Sequence, residues 1–291
     1  MNDPAVGLEW IENLIEEFIL NSPANTLKAF NEEKAFDQPL IGFSQGDDPI
    51  YESYKEHIGP FHFTPLEIFS LNFLDTPVRA QDLTVISWIL PQTEATRKDN
   101  RKMDRFPAER WARARIMGEE VNVKLRRHVV EALREKGVSA LAPQLAPQWE
   151  IKGSEKFTIA STWSERHAAH AGGLGTFGLC DGLITARGKA HRVGSVIARV
   201  KIPATPRPYT NHREYCLFFS KGACLKCIGR CPVGALSEKG HDKLKCLGHL
   251  KPGTADYVKE NYGFDGYGCG LCQTGVPCES KIPVPGVDDR E

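Results

Sequence analysis

Eight of the nine cysteines in this 291-residue chain lie between Cys216 and Cys278, and four of them fall in one sixteen-residue stretch, "CLFFSKGACLKCIGRC". Thiols at that density leave little room for an ordinary apolar core, so the segment has to fold around something the thiols hold. The amino-terminal "MNDPAVGLEWIENLIEEFILNS" has no basic start, and acids interrupt its apolar run, so it does not read as a secretory leader. No apolar run approaches the roughly 20 residues that a membrane span requires. A cytoplasmic chain with no membrane partner is therefore expected, and there reduced thiols bind metal in preference to forming disulfides.

The cysteines divide into Cys216, Cys224, Cys227 and Cys231, followed directly by Pro232, and Cys246, Cys269, Cys272 and Cys278. "CLKCIGRCP" is C-x2-C-x3-C-P, the closing part of the bacterial ferredoxin run, in which the cysteine before proline serves the other cluster. That logic assigns Cys216, Cys224, Cys227 and Cys278 to one [4Fe–4S] cluster, A. Cys231, Cys246, Cys269 and Cys272 go to the second, B. Lys221 stands at the usual first ligand position, so Cys216 has to reach in from upstream. Zinc is the alternative: the pairs Cys224/Cys227 and Cys269/Cys272 make a C-x2-C…C-x2-C site, but the other four cysteines then have no role.

Cysteine use also marks an expected boundary, with residues 1–202 as one domain and 203–291 as another, joined through the proline-rich "KIPATPRPYTNHREY". In the first part, apolar residues from Leu8 to Ile19 recur at helical spacing. "PLIGFS", "LTVISWILP", "VSALAP", "DGLITA" and "HRVGSVIARVKI" read as strands. Pro107 to Lys136 reads as one long helix with Gly137 as its stop, and "SERHAAHAGG" as a short one with Ser164 as N-cap. Helices alternating with strands predict a layered α/β sheet domain.

Candidate chemistry concentrates in "WSERHAAHAGGLGTFGLCDGLITARGKAHRVGS", residues 163–195. Gly173, Gly175 and Gly178 would let backbone approach a large planar or anionic ligand. His167 and His170, three apart on one helix, are candidate proton carriers, with Asp181 as another. Each also has an ordinary reading as a helix or turn polar group. Cys180, the ninth cysteine, reads as a buried small residue. Arg187, Lys189 and Arg192 suggest an anion site. Net charge is zero, which excludes a global field for nucleic acid. The basic stretch from Arg97 to His128 remains a candidate phosphate contact or a solvated helix face.

"ERHAAHAGGLGTFG", then "GLIT" and the Gly194–Ser195 pair, resembles a segment of the epoxyqueuosine reductases, and "CIGRCPVGAL…KCLGHL…GCGLCQ" resembles their cluster domain. The resemblance covers most of the chain. It implies an α+β architecture, with a nitroreductase-like cobalamin-binding domain before a ferredoxin-like domain holding two [4Fe–4S] clusters. It also implies an oxidoreductase in which Gly173, Gly175, Gly178, Arg187 and Ser195 contact the corrinoid. A low-potential ferredoxin or flavodoxin would be the electron donor, and a small molecule or modified nucleoside, in tRNA for that family, the substrate. The chain departs from the family where an aspartate precedes the Glu-Arg pair, because "KFTIASTWSER" holds no carboxylate between Glu155 and Glu165. The helical-repeat tail of many members is also missing from this sequence. A non-catalytic electron carrier and a flavin-binding version of the same fold remain alternatives.

Overall fold

A computed structural model of the chain describes residues 6–75 and 77–285. The outermost parts of the two expected domains, 1–5 and 286–291, lie outside the described residues. The central element is a four-stranded sheet, β1 (Leu40–Gln45), β2 (Thr84–Pro91), β3 (Ala140–Leu141) and β8 (His191–Ala198), in the order β1-β2-β8-β3. Every pairing in it is antiparallel. The alternation of helices and strands thus leads to an α+β fold, because the helices do not return the chain for parallel pairing. Two small hairpins, β4 (Ile151–Ser154) with β5 (Thr158–Ser161) and β6 (Gly175–Phe177) with β7 (Leu183–Thr185), stand outside the sheet.

Helices cover both faces, which is why β2 is buried along its whole length and reads as a continuous apolar run. On one face Ile86, Trp88 and Leu90 meet Ile11, Ile15 and Ile19 of α1 (Leu8–Asn21), with Val121, Leu125 and Val129 of the long helix α5 (Glu109–Glu135). On the other, Val85 and Ile197 meet α2 (Ile50–Ile58), α3 (Pro65–Asn72) and α6 (Glu165–Ala171). α4 (Glu94–Arg101) precedes α5. α5 stops as its sequence predicts: Gly137 takes φ +74°, its N–H bonds the Arg134 carbonyl, and the Val138 N–H bonds that of Leu133. Gly194 is required by packing, since a Cβ there would lie 2.5 Å from the Trp88 indole.

The proline-rich connector lies along the free edge of β1. The Thr205 N–H donates to the Phe43 carbonyl at 2.9 Å, and the Gln45 side chain donates to the Ile202 carbonyl at 2.6 Å. Beyond it come α7 (Leu217–Lys221), α8 (Lys226–Gly229), a two-residue ladder of β9 (Leu236–Ser237) and β10 (Gly240–His241), α9 (Lys243–Gly248) and α10 (Thr254–Tyr262). This cysteine-rich end is tied to the sheet half. Arg101 forms an ion pair with the buried Glu279 at 2.6 Å, Asn100 donates to Thr274 Oγ1 at 3.0 Å, and Gly270 sits against the Trp111 ring.

Candidate functional site

Two cavities meet where the sheet half faces the cysteine-rich end. Cavity 2, about 460 Å³, is walled on one side by Cys231, Cys246, Cys269 and Cys272, the four thiols assigned to cluster B. Its other wall comes from the sheet half and includes Gln92, Gln144, His191 and Arg192. Cavity 1, about 760 Å³, is lined by α2, α6 and the connector, and shares Ser161, Ser164 and Arg166 with cavity 2.

Among the cluster A thiols, Cys216, Cys227 and Cys278 are buried together with Cys180 in one apolar cluster, and Cys231 and Cys272 pack against it. Burial pushes the Cys227 thiol up to about 12, with Lys189 pulling the other way and Cys180, Cys278 and Cys216 adding to the rise. Burial likewise raises Cys269 and Cys278, each to about 11. Thiols held neutral in this way ionise when positive metal supplies the compensating charge. Cys224 lies on the exposed turn after α7 with φ +72°, a left-handed conformation that an L-residue adopts at some cost. A backbone donor already points at sulfur: the Ala235 N–H lies 3.2 Å from Cys231 Sγ, the kind of bond that adjusts cluster potential. Among the described residues no three His, Cys, Asp or Glu converge as ligands for a single ion.

Burial also leaves polar atoms unsatisfied at the cavity walls. Gln92 Oε1, Gln144 Oε1 and His191 Nδ1 have no hydrogen-bond partner, Arg192 Nε has only Glu119 at 3.9 Å, and all belong to residues lining cavity 2. The His191 Nε2 side bonds the Leu183 carbonyl at 2.8 Å, so Nδ1 is left as an acceptor. Three acceptors without hydrogen-bond partners suit a ligand rimmed with carboxamides, as a corrin is, since orphaned buried groups are costly until a ligand meets them.

His167, His170 and Asp181 all line cavity 1. His167 Nδ1 contacts Ser164 Oγ at 2.8 Å, so the expected N-cap hydroxyl turns to the ring instead of the helix backbone. His170 Nδ1 contacts the Tyr54 hydroxyl at 2.7 Å, and its Nε2 is buried and unpartnered. Burial drives His167 well below the usual histidine range and His170 down to about 4. Asp181 contacts His241 at 3.0 Å. Burial works against its carboxylate, but His241 and Arg166 hold it below the usual range.

The glycines sit differently from a ligand cradle. A Cβ on Gly173 would lie 2.7 Å from the Pro206 carbonyl oxygen, and one on Gly175 2.2 Å from that of Ile184. Their missing side chains admit protein backbone, and Gly178 alone of the three lines a cavity. Arg187 is exposed on the turn after β7 and lines neither cavity. Ser195 is fully buried on β8, accepting from Trp163 Nε1 at 3.0 Å and donating to Glu165.

Sequence reasoning missed one group and expected a different neighbour for another. Glu165 lines cavity 2, and burial pushes its carboxyl up to about 7 against the pull of Arg126 3.2 Å away. Lys189 is buried, with its ammonium 3.4 Å from Cys180 Sγ, so it faces sulfur where an anion site was expected. Neither placement has a signal in the sequence, because both depend on what the fold brings alongside. The basic stretch is also largely neutralised: Arg97 and Arg101 pair with Glu94, Arg110 with Glu33 and Asp99, Arg113 with Glu109, and Arg126 with Glu119. No helix among the described residues is long and apolar enough to cross a membrane.

No family model matches the chain. Over 156 residues it is 30% identical to an epoxyqueuosine reductase of Bacillus anthracis, a match covering 52% of this chain but only 38% of that relative. Among solved structures, a catabolic reductive dehalogenase in complex with 3-bromo-4-hydroxybenzoic acid superposes with a TM-score of 0.51 at 14% identity, over 95% of this chain and 37% of that one. A reductive dehalogenase described as suggesting a mechanism for B12-dependent dehalogenation gives 0.50 at 15% identity, over 84% and 30%.

Proposed function

From a chain that is distantly homologous to epoxyqueuosine reductase and shares the reductive dehalogenase fold, we propose a corrinoid-dependent reductase fed by two [4Fe–4S] clusters. The observation that carries this reading is cavity 2. One wall holds the four thiols assigned to cluster B, and the facing wall holds the unpartnered acceptors of Gln92, Gln144 and His191. A cobalamin bound there would supply a metal centre able to take single electrons and cleave a carbon–heteroatom bond.

The chain's own residues supply position, polarity and protons. Cys231, Cys246, Cys269 and Cys272, which wall the cavity, would hold cluster B, and Cys216, Cys224, Cys227 and Cys278 would hold cluster A. Lys221 and Lys226 flank Cys224 on the exposed turn, where an acidic electron carrier can dock by charge complementarity. Cavity 1 is the substrate chamber in this reading. Tyr54, Phe157, Phe177 and Tyr209 give it aromatic walls, and Lys156, Arg213 and Lys243 give it positive charge, which suits an anionic or nucleoside-like substrate. Glu165, on the cavity 2 side of the junction, is the proton carrier in this reading. Burial raises its carboxyl to about 7 while Arg126 and the Ser195 hydroxyl favour the carboxylate, so it can both take up and release a proton, whereas His167 and His170 are held below the usual histidine range and Asp181 is an ion-paired carboxylate.

Iron, acid-labile sulfide and cobalt content, with a visible spectrum, test the reading on protein purified without oxygen from cobalamin-fed cells. About eight irons and one cobalt per chain are expected. Eight irons with no cobalt and no uptake of added cobalamin would sink the corrinoid assignment and leave a carrier or a flavoprotein. In the loaded enzyme, Glu165→Gln is expected to keep its metals and lose turnover by at least a hundredfold; unchanged turnover removes Glu165 from the proton path.

A further inference from the structure

Lys189 is 3% exposed, and among the described residues no carboxylate pairs with it. A buried ammonium without a counter-charge is strongly unfavourable. Burial opposes its charge, and what favours it are sulfurs, Cys180 first, then Cys278, Cys227 and Cys272. Two of these belong to the cluster A set and one to the cluster B set. Cys180 holds the ammonium directly, at 3.4 Å.

The placement is also rigid. The Lys189 N–H bonds the Cys278 carbonyl at 2.9 Å, and the Ala190 N–H bonds that of Glu279 at 3.1 Å. Gly188, at φ +72°, is pressed so closely on this segment that a Cβ would lie 2.2 Å from the Glu279 carbonyl oxygen. The turn after β7 thus delivers one fixed positive charge from the sheet half into the thiol cluster.

We propose that Lys189 sets the reduction potential of the clusters by stabilising their reduced state, an inference that rests on the two-cluster reading above. One electron from a low-potential carrier protein, or from dithionite in the test tube, converts a [4Fe–4S]2+ core to [4Fe–4S]1+. No bond breaks and no proton moves, so one unit of negative charge appears among the thiolates. A fixed cation in a water-poor site favours that product over the oxidised cluster. Lys189 is a tuning residue: it lines cavity 2 beside the thiols and lies outside the substrate chamber, and it acts through the sulfurs around it.

Potentiometric titration followed by electron paramagnetic resonance tests this on the full chain, after iron and sulfide have been measured in each sample. Lys189→Met is expected to retain eight irons and to reduce about tenfold less favourably, which is ~59 mV more negative for one electron. Lys189→Arg, which keeps the charge, is expected to stay near the parent value. Equal potentials in parent and Lys189→Met overturn the proposal. If Lys189→Met loses iron, Lys189→Gln is read in its place. Loss of iron from both neutral variants would make the ammonium a structural counter-charge and overturn tuning. A parent protein without iron would instead refute the two-cluster reading itself, so the two failures are distinguishable.

Discussion

The two ends of the molecule are held together by different physics. In the sheet half, β2 is buried over all eight residues, and helices on both faces bury aliphatic and aromatic side chains against it. In the cysteine-rich end the helices run from four to nine residues. Their core is built of Cys216, Cys227 and Cys278 with a few apolar neighbours. Helices that short do not persist on their own, and so small a core rarely suffices without metal. One half folds because burying apolar surface is favourable; the other has too little of that surface, and on the proposed reading clusters supply what is lacking.

The largest effect that tests this contrast is metal removal. Chelation of iron under anaerobic conditions is expected to expose residues 216–278 to protease and amide exchange while β1, β2 and β8 stay protected. Uniform loss of protection in both halves would break the comparison.

Acid is expected to act on the opposite half. His57, His62, His170 and His191 are each pushed down to about 4 by burial, and all four precede the cysteine-rich end. Unfolded histidines titrate near 6.5, so between that pH and about 4 the unfolded chain binds more protons. Their contribution is therefore complete above 6.5 and is lost as pH falls toward 4, by about 3 kcal/mol for a ring as buried as His62. All five tryptophans lie before residue 164, so urea melts followed by their fluorescence report this half. A flat profile from pH 7 to 4.5 would contradict the buried placement of these rings.

The smallest test is Gly194→Ala. The added Cβ meets the Trp88 indole, which is itself tethered to Asn122 Oδ1 at 2.9 Å. A loss of about 1–3 kcal/mol is expected from overpacking, with iron content unchanged. Iron loss in this variant would show that the halves do not fail separately.

Several elements were legible because their signals are local. The spacing from Leu8 to Ile19, the β-branched run of β2, and Gly137 at the end of α5 each act through neighbours in sequence. What the sequence could not place depends on distant partners. Gly173, Gly175 and Gly178 are read from sequence as admitting a ligand, and in the fold Gly173 and Gly175 admit the backbone at Pro206 and Ile184. Ser195, expected to touch a corrinoid, is buried between Trp163 and Glu165. The connector turned out to edge the sheet and wall a cavity, because β1 offered it unpaired backbone groups.

The sequence alone determined that eight thiols crowd the last third of the chain at ferredoxin-like intervals and that an apolar sheet with helical cover precedes them, since both depend on residue type and interval. Only the tertiary structure decided which thiols wall a cavity, which carboxyl is pushed to about 7 and which lysine is left among sulfurs. Desolvation and charge proximity are properties of place, and residues as far apart as Lys189 and Cys278 acquire a common place only when the chain folds.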